Sequence, residues 1–191
     1  MNLEAENAAL IATEAHEAKA RGYVITRGRD ARPHMPRQQR GADAADSKMH
    51  PAILRGLAQF RETADCGGAT ALTLFSMPTL HVSYAWFKSG YPLPLHSHDA
   101  DCYYLVIAGS MKVGSEVLEK GDGVLIPGGA PYTVNPGDEG VEFLEIRTSP
   151  DYDTHFRAKT DAYWDRVAET RRERKDVWAQ EQAPYGLLDQ G

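Results

Sequence analysis

The segment GYPLPLHSHDADCYYLVIAG, residues 90–109, sets His96 and His98 one residue apart and follows them with Cys102. In an extended strand, side chains two residues apart project to the same side, with Cα atoms roughly 6.5 Å apart. Two imidazoles so placed can share one divalent ion, at about 2.0–2.1 Å each for zinc. The same pattern also occurs in polar surface loops, so the pair alone leaves both readings open. Two ligands are too few for a stable site, and the rest must come from neighbouring elements. If His96, His98 and Cys102 face inward, parity turns Tyr104 and Val106 inward too, while Asp101, Tyr103 and Leu105 face outward. As a thiolate, Cys102 is a stronger ligand for Zn(II) or Fe(II) than a carboxylate. As a thiol it is a small buried hydrophobe.

Other candidates sit in strand-like runs. His81, in TLHVSYAWF, shares a face with Ser83 and Ala85 and reads as a hydrogen-bonded wall residue beside a ligand space, or as a further metal ligand. Glu142 and Glu145, in VEFLEIRT, fall on opposite faces. Only one of them can be interior, and a buried carboxylate needs a metal or a basic partner. His16, His34, His50 and His155 belong to helices, arm and tail, and are expected to face solvent.

The elements that position these residues change character along the chain. Residues 3–20 are rich in Ala and Glu, with Leu10, Ile11 and Ala15 on one face, and predict a helix that Gly22 ends. Residues 26–47 are polar and hold two prolines, which predicts a loop or extended arm rather than a packed element. Ser47 can cap a second helix near 50–63, with Ile53, Leu54, Leu57 and Phe60 at helical spacing. From residue 69 the texture becomes β. ATALTLFSM, TLHVSYAWFK, CYYLVIAG, SMKVGSEVL, GVLIPGG, APYTVN and VEFLEIRT alternate with Gly and Pro punctuation, which predicts an all-β sandwich or barrel. A helical period returns from about 156, with Tyr163, Val167 and Trp178 as anchors, and the last nine residues read as a tail. The expected organisation is therefore N-terminal helices and arm over 1–68, a barrel over 69–150, and a helix with tail over 151–191.

The bulk numbers narrow the function classes. A chain of 191 residues can bury a real core. Its formal net charge of -6 gives no reason to expect nucleic acid or an anionic membrane as partner. No apolar run approaches the roughly 20 residues of a membrane span, and the opening residues lack the pattern of a secretory signal. Two cysteines imply no disulfide framework, so a reducing cytoplasm is the expected location.

Gly90, His96, His98, Cys102 and Gly109 stand at the spacing of the first cupin motif, in which a glutamate normally occupies the Cys102 position. Twelve residues on, GDGVLIPGGAPY is similar to the second motif: Gly121, Pro127 and Gly129 match, and Tyr132 stands where the family has a histidine. The resemblance covers roughly residues 70–150. It implies a double-stranded β-helix of jelly-roll type and leaves unexplained the helices that periodicity predicts at both ends. It also implies one divalent metal (Zn, Fe, Mn or Ni) on His96 and His98, with Cys102 as replacement ligand. Tyr132 then stands beside the metal, close to Cys102, as a ligand or a proton-transfer group. Its alternative is an aromatic filling the interior.

Two functions follow. In the first, a small metal-dependent enzyme acts on an oxygenated or aromatic substrate lined by Tyr104, Val106 and His81, with Trp86 or Tyr84 as further candidates. Dioxygenase chemistry comes first by family analogy, then lyase or isomerase. In the second, a metal-free barrel binds a small molecule for sensing or sequestration. Exposed sheet edges and faces predict a homodimer, its N-terminal arm or a flanking strand crossing between subunits.

Overall fold

Runs of β-branched and aromatic residues suit a pleated, half-buried surface, and here they become strands. The computed structural model describes residues 20–34 and 49–186. Its strands are β1 (Arg32–Pro33), β2 (Ala69–Met77), β3 (Leu80–Phe87), β4 (His96–His98), β5 (Cys102–Val113), β6 (Glu116–Glu119), β7 (Gly123–Ile126), β8 (Val134–Arg147) and β9 (Thr154–Phe156). Two helices flank them, α1 (Pro51–Glu62) and α2 (Asp161–Trp178). One antiparallel sheet runs β1-β2-β3-β8-β5-β6, with β7 also paired to β5, and β4 pairs β9 in a second, two-stranded sheet.

Cross-strand partners share a face, so the register shows which side chains point inward. β8 sets Phe143, Glu145 and Arg147 opposite Val106, Tyr104 and Cys102 of β5. On its other side the same three residues meet Ala85, Ser83 and His81 of β3. Ala85, Cys102, Tyr104, Val106, Tyr132, Val134 and Phe143 belong to one buried core. Burying each large apolar side chain there contributes about 1.5–3 kcal/mol. Tyr103, on the opposite face, is exposed, and Asp101 lies outside, accepting a hydrogen bond from the Gly128 N–H.

Several elements differ from the sequence expectation. CYYLVIAG and SMKVGSEVL predict two strands, but β5 runs through Gly109 to Val113, with register shifts against β8 absorbing the break. APYTVN and VEFLEIRT likewise contribute to a single long β8. Residues 154–156 form β9 because β4 offers them a partner, so the C-terminal helix starts at Asp161 and not near 156. The helix expected over 3–20 falls almost wholly outside the described residues, as do His16 and Ser47. α1 is capped instead by His50, whose Nδ1 accepts from the Ala52 N–H at 3.2 Å. It buries Ala52, Ile53 and Gly56 and leaves Leu54 exposed. The arm is in part a packed element, since Arg32 and Pro33 pair with Thr73 and Leu72 of β2.

The helices pack together at a glycine. A Cβ at Gly56 would stand 1.9 Å from Cδ2 of Trp164, so only a bare backbone admits that indole. Trp178 is wholly buried and donates its Nε1–H to the Ser89 carbonyl at 2.9 Å. Arg171, also buried, donates to the Thr63 carbonyl at 2.9 Å and lies 3.9 Å from the Phe60 ring. No helix among the described residues is long and apolar enough to cross a membrane.

Candidate active site

β4 places both histidines in buried positions, their ring centroids 4.8 Å apart. The His96 Nδ1 lies 2.7 Å from the Pro94 carbonyl, and the His98 Nδ1 lies 3.2 Å from the Asp153 carbonyl. A carbonyl can only accept, so each Nδ1 carries the ring proton and each Nε2 keeps its lone pair. Burial holds both rings neutral at physiological pH, and with the Arg147 charge it takes His98 down to about 3.

Tyr132 joins them through the backbone. Its N–H donates to the His96 carbonyl at 2.8 Å, and its carbonyl accepts from the His96 N–H at 3.1 Å. The residue at the end of the second motif is thus seated directly on the first histidine of the first. Gly109 and Gly121, the corner glycines of the two motifs, take φ of 70° and 94°. The antiparallel sheet with these corner glycines has the form of a cupin-type jelly roll.

No protein-family model matches this chain, and no curated protein matches it either. Solved structures similar in fold include a salicylate 1,2-dioxygenase from Pseudoaminobacter salicylatoxidans in complex with gentisate, at 18% identity and a TM-score of 0.45. That match covers 55% of this chain but only 35% of the dioxygenase. An RmlC-like cupin from Shewanella frigidimarina is 23% identical, with 44% and 78% of the two chains covered and a TM-score of 0.41. The polyketide cyclase RemF from Streptomyces resistomycificus is 16% identical, with 55% and 83% covered and a TM-score of 0.47. These are likenesses of fold alone.

Inside the barrel core the Tyr104 and Tyr132 hydroxyls stand 2.6 Å apart. Burial raises both phenols, so both keep their protons. The mutual bond uses one of those two protons, and the other remains to be donated elsewhere. The Tyr132 ring centroid lies 4.5 Å from that of His96. Cys102 shares the core with Tyr132, and burial and the nearby Glu145 push its thiol up, which leaves it neutral.

Glu145 is the carboxylate on the barrel's inward face, although Glu142 is the more deeply buried of the two. Glu142 turns to the other face, where its carboxylate accepts from the Tyr84 hydroxyl at 2.7 Å and from the Tyr185 and Gly186 N–H groups. By the same parity, Tyr84 and Trp86 leave the interior, contrary to their candidacy as lining residues. Glu145 accepts from the Arg147 Nε–H at 2.5 Å. Burial alone would raise its carboxyl, but the guanidinium outweighs that and holds it down at about 2.

Arg147, Tyr152 and His34 were missed from the sequence. Parity carried the signal for Arg147, since Glu145 and Arg147 are two residues apart in one strand. His34, expected in solvent, is half-buried: its Nε2 bonds the Tyr152 hydroxyl at 2.5 Å, and its Nδ1 lies 3.3 Å from the His81 Nε2. His81 is an inward wall residue whose Nδ1 bonds the Ser76 hydroxyl at 3.1 Å. Burial, then the neighbouring His34, lowers it to about 4.

The donor set does not fit a resident divalent ion as it is arranged. Among the described residues no three His, Cys, Asp or Glu side chains stand close enough to hold one, so His96, His98 and Cys102 are not gathered into a ligand triad. The interior carboxylate is already engaged by a guanidinium, which supplies the positive charge in this interior.

Stability should therefore fall in acid. Unfolded His81 and His98 take up a proton near pH 6.5, whereas the folded rings resist it down to about 4 and 3. The unfolded state binds more protons in that window, so stability rises with pH across it, by about 1.4 kcal/mol per pH unit for each ring. Glu145 adds the same sign below about pH 4.5. Urea midpoints at pH 4.5 and 7 measure this, and equal midpoints would contradict it.

Proposed function

We propose that the barrel interior is a binding chamber for a small oxygenated organic molecule, working without a resident metal as a sensing or sequestering barrel. The observation that carries this reading is the juxtaposition, in one buried core, of the two Nε2 acceptors with the spare phenol proton of the Tyr104–Tyr132 pair. A ligand hydroxyl can donate to an imidazole and accept from Tyr132, while Val106 and Phe143 supply apolar wall and His81 closes the far side. General acid–base catalysis asks for groups that titrate near the working pH. Here the His98 base is weak, at about 3, and the Tyr132 acid is raised beyond its ordinary value. Binding asks only that donors meet acceptors. In this reading Tyr132 is a hydrogen-bond donor to the ligand, not a general acid.

One observation favours the metal-dependent enzyme. Both Nδ1–H groups are held by carbonyls, the outer support that metal-binding imidazoles commonly have. His96 and His98 would then hold the ion, and Cys102 or Tyr132 would have to move to join them. Elemental analysis of the purified protein separates the two readings, followed by thermal melts with phenol and p-cresol, with and without chelator. The expected result is no stoichiometric metal, a melting point raised by the phenols whether or not chelator is present, and a loss of about 0.5–1.5 kcal/mol of binding in Tyr132→Phe. One equivalent of metal that His96→Ala removes would overturn the proposal in favour of the enzyme.

A further inference from the structure

Arg147 is an unusual group to find inside this barrel. Its partners across β5 and β3 are Cys102 and His81, so it shares the inward face with Tyr104 and Ser83. Its side chain is 0% exposed. Nε and Nη2 both turn to a single oxygen, Oε1 of Glu145, and Cζ lies 3.9 Å from the centre of the Tyr152 ring. Nη1 has no hydrogen-bond partner among the described residues. A guanidinium offers five N–H donors in a planar fork, and here most of them are unused. Ser83 Oγ, directly across from Glu145 on the same face, is likewise buried without a partner.

Buried polar groups are almost always satisfied, and leaving one unmade forfeits its hydration. Two such groups on one wall, beside the His–Tyr cluster, describe a receptor whose occupant is polar. Glu145 already offsets one unit of charge, so the occupant must hold its own against that carboxylate. A carboxylate does so through the fork geometry, in which two N–H groups meet two oxygens. The Arg147 charge also bears on His81, His96, His98, Tyr104 and Tyr132, so an anion there faces the whole polar interior.

We propose that Arg147 anchors the carboxylate of the bound molecule, with Ser83 as a second donor. The ligand class is then a small aromatic carboxylic acid whose remaining oxygen, where it has one, lies at the His–Tyr end. This rests on the chamber reading above, and the test separates the two. Calorimetric titration of the full chain with benzoate, phenylacetate and 4-hydroxybenzoate, each against its uncharged amide, measures the preference. The acids are expected to bind about 10- to 100-fold more tightly. Arg147→Met combined with Glu145→Gln should abolish that preference, and Tyr132→Phe should keep it at lower affinity. Arg147→Lys, which retains the charge but loses the fork, should keep only part of it, and it serves where the double variant does not fold. Amides that bind as well as the acids would mean that water fills the site, sinking this inference and leaving the chamber intact. Binding of neither acid, amide nor phenol would remove both.

Discussion

Arg147→Ala is expected to lower the unfolding free energy by about 3–5 kcal/mol, a large share of the 5–15 kcal/mol that a domain has. The arginine is not a strong net stabiliser. Bringing two charges out of water offsets much of their attraction, and apolar replacements of such pairs often do as well. The loss comes from what remains, because Glu145, with only 13% of its side chain exposed, keeps its inward place with no cation beside it. Arg147→Met with Glu145→Gln removes both charges and should recover most of the loss. The pH dependence checks the cause. In the wild type the Glu145 carboxyl sits at about 2, so its contribution is present above about pH 4.5 and is lost as pH falls toward 2. In Arg147→Ala burial raises that carboxyl, so acid protonates it in the folded state and relieves the strain. The gap between the two proteins should therefore narrow from pH 7 to pH 4. Urea denaturation of all three proteins measures it. A double variant no more stable than Arg147→Ala would show that the arginine acts through packing on Tyr152 instead.

What the sequence disclosed, it disclosed through local periodicity. Cys102, Tyr104 and Val106 face inward, and Tyr103 outward, because a strand has period two and β5 is continuous there. The Gly and Pro spacing located the barrel because a glycine with positive φ is a requirement of the turn itself. Arg147 escaped for a different reason. Glu145 and Arg147 are visibly on one face of their strand, but which face is inward depends on pairing with β3 and β5, about 40–65 residues away. His34 and β9 escaped likewise. Each lies in a polar stretch with no pattern of its own, and acquires order only from a distant partner, Tyr152 for one and β4 for the other. The ligand triad raises the same difficulty. Parity names which residues look inward, but not whether three of them converge on a point.

Gly109→Ala should be the most damaging single-methyl change in the barrel. The residue sits at φ 70°, the left-handed region, where a side chain costs about 1–2 kcal/mol. A Cβ there would also stand 2.1 Å from the Gly140 carbonyl oxygen and 3.1 Å from the Val141 Cα. Both are backbone atoms of the adjoining strand β8, so no rotamer can relieve the contact. Gly140 cannot retreat far, being itself at φ 76° and set closely against the backbone of Phe87 and Lys88. Overpacking adds roughly 1–3 kcal/mol, for a total of about 2–5 kcal/mol. The damage should also reach the site. β5 shifts register against β8 on both sides of Gly109, between Val106 and Ala108 and between Gly109 and Met111, and the segment before the first shift carries Cys102, Tyr104 and Val106. Gly114→Ala is the control: its φ is 61°, yet nothing lies within 4 Å of the added methyl. It should lose only the conformational part, about 1–2 kcal/mol. Urea midpoints of the two variants measure the difference. If both variants lose the same amount, backbone conformation alone accounts for Gly109, and the close contact of β5 with β8 contributes nothing to the fold.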